Sequence, residues 1–375
     1  MRFVIVGGGI AGTTAAEELR RRDPDASITL VSEEIHPLYS RVLLPHYLKG
    51  KVPRERVFLK KPEWYAEQRI EWLPGISVRN LDVTNRFVSL SDGREREYDR
   101  LLIASGGEPR VLPEDRRGVC YLQTLDDADH ILQLIHEGVS GRAVVYGSGF
   151  IACEFAELFS HYGILFDVAC RGDRFWPKAL DEGSWEIIRT KLEVEGVEVR
   201  TGVEEFPLGG ENLVGVGIGL EGNFGWAREA GVDVNQGVKT DEFLQTNVPG
   251  VFAAGDVAEF MDLAVGRQRL VGNWMNAQMQ GRAVAANMAG ENKPLRLVSS
   301  YSTNALGIQV TFVGDASREK SDEVRVIGDA REGVIQLFGR GGKLVGATLV
   351  GRVKERQAVT DLLKAGGRIS DFLRT

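Results

Sequence analysis

Two glycine-rich stretches constrain this chain more than any other feature. Gly7-Gly8-Gly9-Ile10-Ala11-Gly12 follows the apolar run FVIV and opens a breaker-free stretch of helical spacing over residues 10–22. Gly147-Ser148-Gly149-Phe150-Ile151-Ala152 holds the same place within RAVVYGSGFIACEFAELFSHYGILFDVAC, residues 142–170. Both fit G-x-G-x-x-G/A between a strand and a helix. In that pattern the first glycine makes the tight turn and the second lets backbone N–H groups approach a diphosphate. The third small residue lets helix pack on strand. The helix N-terminus then stabilises the anion. Each stretch predicts a strand–turn–helix–strand unit that binds a dinucleotide, and two copies predict two such domains.

The ends of the second strands separate the two units. SITLV runs into Glu33 and Glu34, where a carboxylate can accept from both hydroxyls of a ribose. The second copy runs into Cys170-Arg171-Gly172-Asp173-Arg174, without a carboxylate at the ribose position. An arginine there can pair with a 2′-phosphate, which favours NADPH over NADH. Alternatively Arg171 and Arg174 are solvated surface charges.

Composition narrows the class. A chain of 375 residues has room for two to three domains of about 150 residues. The net charge of −7 argues against a generic nucleic-acid binder. Three cysteines, Cys120, Cys153 and Cys170, form no CxxC pair, so neither a disulfide scaffold nor a metal site is expected. No apolar run approaches the ~18–20 residues of a membrane span, and the first strand starts at Arg2, leaving no room for a signal peptide. The expectation is a cytoplasmic protein with no membrane partner.

Between the two units, FVSLSDGREREYDRLLIASGG predicts a strand, an Asp92-Gly93 hairpin turn and an apolar strand. VPGVFAAGDVAEF predicts another apolar strand ending in Gly-Asp, and WMNAQMQGRAVAANMAG a helix stopped by Gly290 and Pro294. The tail predicts strands at VRVIGD, GVIQLFG and KLVGATLVG and then a short helix. The fold class is α/β: two Rossmann-like dinucleotide-binding domains plus a small C-terminal α+β domain. The expected division is 1–110 with 235–300, then 111–234, then 301–375.

LLIASGGEPR (101–110) resembles the hhhATGxxP segment, and TNVPGVFAAGDVAEF (246–260) the GD segment, of the FAD-dependent pyridine nucleotide-disulfide oxidoreductase superfamily. With the two glycine fingerprints, the resemblance runs in order along almost the whole chain. It implies FAD on the first fingerprint, held by Gly7, Gly9, Ile10, Ala11, Gly12, Ala104, Ser105, Gly106, Gly255 and Asp256, with Asp256 on the flavin ribitol. It implies NADPH or NADH on the second, held by Gly147, Gly149, Phe150, Ile151 and Arg171. The redox cysteines of the disulfide reductases have no counterpart in EIHPLYSRVLLPHYLKG (34–50), so electrons leave the flavin for an external acceptor. YSRVLLPHYLKG and GKLVGATLVG are similar to NAD(P)H:rubredoxin oxidoreductases and the flavin domain of assimilatory nitrite reductases, and more distantly to ferredoxin reductases of oxygenase systems. That branch implies Arg41 beside the FAD, and a basic residue at His46 facing Glu154 of the second fingerprint helix as the catalytic pair. It also implies Trp274 over the flavin pyrimidine edge and Val78 at the adenine through its backbone. His46 and Trp274 are alternatively a helix-face histidine and a core tryptophan. One departure is a shortened stretch after TGVEEF, where Gly209, Gly210, Gly215, Gly217 and Gly219 predict a loop.

The expected function is hydride transfer from NAD(P)H to FAD, then single electrons to a small redox protein, rubredoxin first and a ferredoxin-like protein second. The rivals are a peroxide-forming NAD(P)H oxidase and a flavin-binding redox-sensing protein. Arg54, Arg56, Lys60 and Lys61, or Arg352, Lys354 and Arg356, are the candidate basic patches for an acidic acceptor. The oligomeric state stays open.

Overall fold

The computed structural model describes residues 1–113, 117–138, 141–204 and 213–373. It divides into two compact units: Met1–Val42, Pro53–Glu108 and Glu221–Leu297 form the first, and Leu43–Val52, Pro109–Leu220 and Val298–Thr375 the second.

The first unit is built on a five-stranded parallel sheet in the order Val251–Ala253, Arg100–Ile103, Arg2–Val6, Ser27–Ser32, Ile70–Pro74. Its central strands are near-continuous apolar runs, as strands covered on both faces require. The helix Ile10–Arg22 turns Ala11, Ala15, Ala16 and Leu19 inward, and a second helix, Trp274–Met288, packs on it. Their contact is close because Gly281 has no side chain: a Cβ there would stand 2.5 Å from the Ala11 carbonyl oxygen. The Asp92-Gly93 turn forms as expected, with Gly93 at φ +85 and Phe87–Leu90 antiparallel to Glu95–Glu97.

The second unit repeats the design. Its parallel sheet runs Val199–Arg200, Phe166–Ala169, Ala143–Gly147, Val214–Gly217, Val119–Cys120, with the helix Phe150–His161 leaving the central strand. The same unit carries a five-stranded antiparallel sheet: Ser300–Ala305, Ile308–Gly314, Lys343–Val350, Gly333–Arg340, Glu323–Asp329. The helices Arg356–Lys364 and Ile369–Phe372 pack on it through Val359, Leu363 and Ile369.

These units differ from the expected division. Residues 221–234 join the first unit because Phe224, Ala227 and Val232 enter its core with Val78, Leu81 and Val88. Leu43–Val52 joins the second unit, and residues 301–375 share a unit with 109–220. The hairpin Ser300–Ala305 to Ile308–Gly314 was not foreseen. Its turn places Leu306 at φ +48 and Gly307 at φ +90, so leucine stands where Asn or Asp normally signals such a turn. The shortened stretch after TGVEEF lies mostly outside the described residues; beyond it, Gly215 and Gly217 sit in a strand rather than a loop.

Gly281→Ala tests the helix contact. Helix propensity alone favours alanine by about 0.8–1 kcal/mol, whereas overpacking against a backbone carbonyl costs about 1–3 kcal/mol. The clash wins, and the thermal midpoint is expected to fall. A rise would show that the helices separate freely.

Candidate functional site

In the first unit the chain leaves its central strand at Gly7, whose φ is +119. A Cβ on Gly7 would lie 2.1 Å from the Ala104 carbonyl oxygen, and one on Gly12 would lie 2.0 Å from the Gly7 carbonyl oxygen. Residues 104–106 are thereby laid against the turn, with Gly106 at φ +71. At Gly9 the opposite holds: a Cβ would meet nothing within 4 Å. Gly9 caps the helix Ile10–Arg22, which has no side-chain cap and no acid in its first turn, so Ile10, Ala11 and Gly12 present a bare N-terminus. That is an anion cradle.

Glu34 lines the cleft beside this turn with Gly8, Gly9, Ser32, Arg41 and Trp274, while Glu33 is exposed. The Glu34 carboxylate is already held: Arg41 donates to it at 2.6 Å, and the Tyr39 hydroxyl donates to its other oxygen. Val78 lies in the apolar core and opens a strand paired with Phe87–Leu90.

Asp256 follows Val251–Ala253, and Gly255 has φ +84. The Asp256 Oδ1 is buried and has no hydrogen-bond partner among the described residues. Burial pushes the carboxyl above its usual range, opposed by the charge of Arg41 and the backbone N–H of Asn273. Gln280 accepts from the Gly255 N–H at 2.8 Å and keeps its own Nε2 buried without an acceptor. One acceptor and one donor without partners among the described residues therefore adjoin the same Gly255-Asp256 segment. They fit a partner that carries both hydroxyl donors and acceptors.

The second turn reproduces the first. Gly147 has φ +138, and a Cβ on it would lie 2.2 Å from the Gly217 carbonyl oxygen. Gly149 caps the helix Phe150–His161 and faces open space within 4 Å. Arg174 is held by Asp173 at 2.7 Å and Glu182 at 2.9 Å, whereas Arg171 is exposed and carries no such ion pair among the described residues.

Glu154 lies one turn into this helix. Burial pushes its carboxyl up, with the charge of Lys49 opposing and that of Glu157 adding. The cation beside it is therefore Lys49, not His46. Leu44 and Leu48 take the inward face of the short helix Leu44–Leu48, so His46, about 200° around from Leu44, is exposed. Partial burial and the charges of Lys49 and Lys51 hold its imidazole below the usual value. Lys49, with a long stem, reaches 3.7 Å from Glu157. A lysine three residues past the expected position was the available signal.

The three cysteines are free and buried; burial pushes the Cys120 thiol up to about 12 and Cys170 up to about 11. The basic patches are partly committed. Lys60 pairs with Glu17 at 3.3 Å and stands over the Trp64 ring, Arg352 pairs with Glu355, and Arg356 donates to Ser300 at 2.8 Å.

Two glycine turns with amide cradles, each on its own parallel sheet, define an oxidoreductase of the two-dinucleotide class. The model of the pyridine nucleotide-disulphide oxidoreductase family matches residues 1–206 and 210–281, and the chain belongs to that family. It is 31% identical over 390 residues to the ferredoxin–NAD(+) reductase component of the biphenyl dioxygenase system of Paraburkholderia xenovorans, covering 98% of this chain and 94% of that protein. It is 32% identical over 393 residues to putidaredoxin reductase of Pseudomonas putida, covering 96% and 92%. The crystal structure of the covalent putidaredoxin reductase–putidaredoxin complex superposes with a TM-score of 0.89 at 28% identity, over 97% of this chain and 93% of that one.

The raised Glu154 carboxyl has a pH signature. Its ordinary value is 4.5 and the folded value is higher, so the folded state binds the extra proton. The group's stabilising contribution is present below the unfolded value and is lost as pH rises through the folded one. Glu154→Gln removes this penalty. The variant's gain in thermal midpoint over wild type is expected to be larger near pH 8 than near pH 4; a gain independent of pH would place Glu154 in water.

Proposed function

We propose that this chain is an FAD-dependent NAD(P)H:acceptor oxidoreductase that delivers single electrons to a small redox protein. The observation that carries this reading is Asp256: a carboxylate after a parallel strand, with a buried oxygen for which the described residues supply no donor. A ribitol hydroxyl supplies that donor. When bound, FAD contributes the conversion of a hydride pair into single electrons.

The remaining roles belong to the chain. Gly7, Gly9 and the bare helix end after them hold the flavin diphosphate. Glu34, oriented by Arg41 and Tyr39, accepts from the adenosine ribose. Gly147, Gly149, Phe150 and Ile151 hold the second diphosphate, and Arg171 is available for a 2′-phosphate, so NADPH is accepted at least as well as NADH. Burial raises the Glu154 carboxyl, and the charge of Lys49 moderates that rise. Three buried thiols offer no sulfur route, so electrons leave the protein. The two relatives named for ferredoxin and putidaredoxin support a ferredoxin-like acceptor, with rubredoxin second.

The purified protein is expected to be yellow and to be reduced by NAD(P)H. Turnover with each coenzyme, measured anaerobically with ferredoxin and rubredoxin and in air with O2 alone, tests the acceptor. Faster turnover with O2 would replace electron transfer by peroxide formation.

Asp256→Ala removes a charged acceptor worth about 1.5–3 kcal/mol, which is roughly a ten- to 150-fold loss of affinity. Flavin occupancy after dialysis is expected to fall accordingly. Unchanged occupancy would take Asp256 out of the flavin site.

A further inference from the structure

Trp176 has two features that packing alone does not explain. Its φ is +43, a left-handed conformation that a bulky side chain rarely adopts. Its indole nitrogen is buried and has no hydrogen-bond partner among the described residues, although a buried tryptophan N–H usually finds one. Leucine or phenylalanine would fill the space without burying an unpaired donor.

The surroundings show what the residue addresses. The Trp176 backbone N–H donates at 3.2 Å to the carbonyl of Ser148, the middle residue of the second glycine turn. Its own carbonyl accepts from Ala179 at 2.8 Å and Leu180 at 2.9 Å, so the unusual backbone is pinned on both sides. The ring lies 5.4 Å from Phe150, the first residue of the helix that leaves that turn, and 5.3 Å from Phe312. It remains partly exposed. The strained loop thus fastens an indole to a turn whose Gly149 faces open space and whose helix has no side-chain cap. An indole N–H can only donate, and a dinucleotide at this turn is lined with oxygens.

We propose that Trp176 is a binding residue of the second glycine turn, its indole N–H donating to an oxygen of the bound nicotinamide dinucleotide. The indole nitrogen is buried where the ring rests on Phe150, so binding includes a turn of the ring that presents it. This rests on reading the turn as the NAD(P)H site.

Trp176→Phe keeps an aromatic ring and removes the donor. NAD+ and NADP+ are titrated calorimetrically into the flavin-loaded wild type and variant; the oxidised forms leave the flavin unreduced. The variant is expected to bind the preferred coenzyme about five- to tenfold more weakly, the effect of one hydrogen bond. Its thermal midpoint without dinucleotide is expected to be equal or higher, because a buried unsatisfied donor has gone. Unchanged affinity with a lower midpoint would make Trp176 a packing residue and overturn the proposal. Should that variant not fold, Trp176→Leu is read by the same two measurements. A wild type that binds neither coenzyme would overturn the reading of the turn itself.

Discussion

Everything in this molecule depends on backbone approaching backbone closer than any side chain permits. Gly7 lies against the Ala104 carbonyl and Gly147 against the Gly217 carbonyl, in conformations with φ of +119 and +138. Those contacts turn the chain sharply enough to aim a helix N-terminus back across the sheet edge. With no capping side chain at Gly9 or Gly149, the first amides of each helix stay unsatisfied. An anion is the natural partner for such amides, so the folding constraint and the binding site are the same few atoms.

A second layer consists of charges taken out of water without full compensation. Asp256 is desolvated and has only the Arg41 charge and the Asn273 N–H to offset that cost. Glu154 is desolvated and moderated by Lys49. Structural ion pairs in this chain look different: Arg269 meets Asp262 at 2.8 Å with both side chains nearly buried, and Arg20 donates to the carbonyls of Gln68, Pro24, Ala26 and Arg69. Those groups are satisfied and stay out of chemistry. Of the incompletely compensated ones, Asp256 follows the strand Val251–Ala253 and Glu154 lies one turn into the helix Phe150–His161.

The chain also defines its chemistry by what its sulfur does. Each cysteine is a small apolar packing residue with its thiol pushed up by burial, so none is a thiolate at neutral pH. The family is named for disulfide oxidoreduction, and the three cysteines of this member are free and buried.

The sequence by itself determined the two strand–turn–helix units, the Gly-Asp segment, the Asp92-Gly93 hairpin and the absence of a dithiol. These are short-range: a turn that needs φ > 0 and a close approach selects glycine locally, wherever the rest of the chain goes. What only the tertiary structure decided is which side chain meets which. His46 and Lys49 are both basic residues near one short helix, and the burial of Leu44 and Leu48 is what turns the histidine outward and leaves the lysine near Glu154. Residues 221–234 carry no local sign of belonging with Val78 and Leu81, and Leu306 gives none of a hairpin. Trp176 reads as an ordinary apolar residue until the fold ties its backbone to Ser148 and sets its ring against Phe150, with no acceptor for the indole among the described residues. Such contacts join residues tens or hundreds apart, and their energies come from burial and from partners that no local pattern encodes.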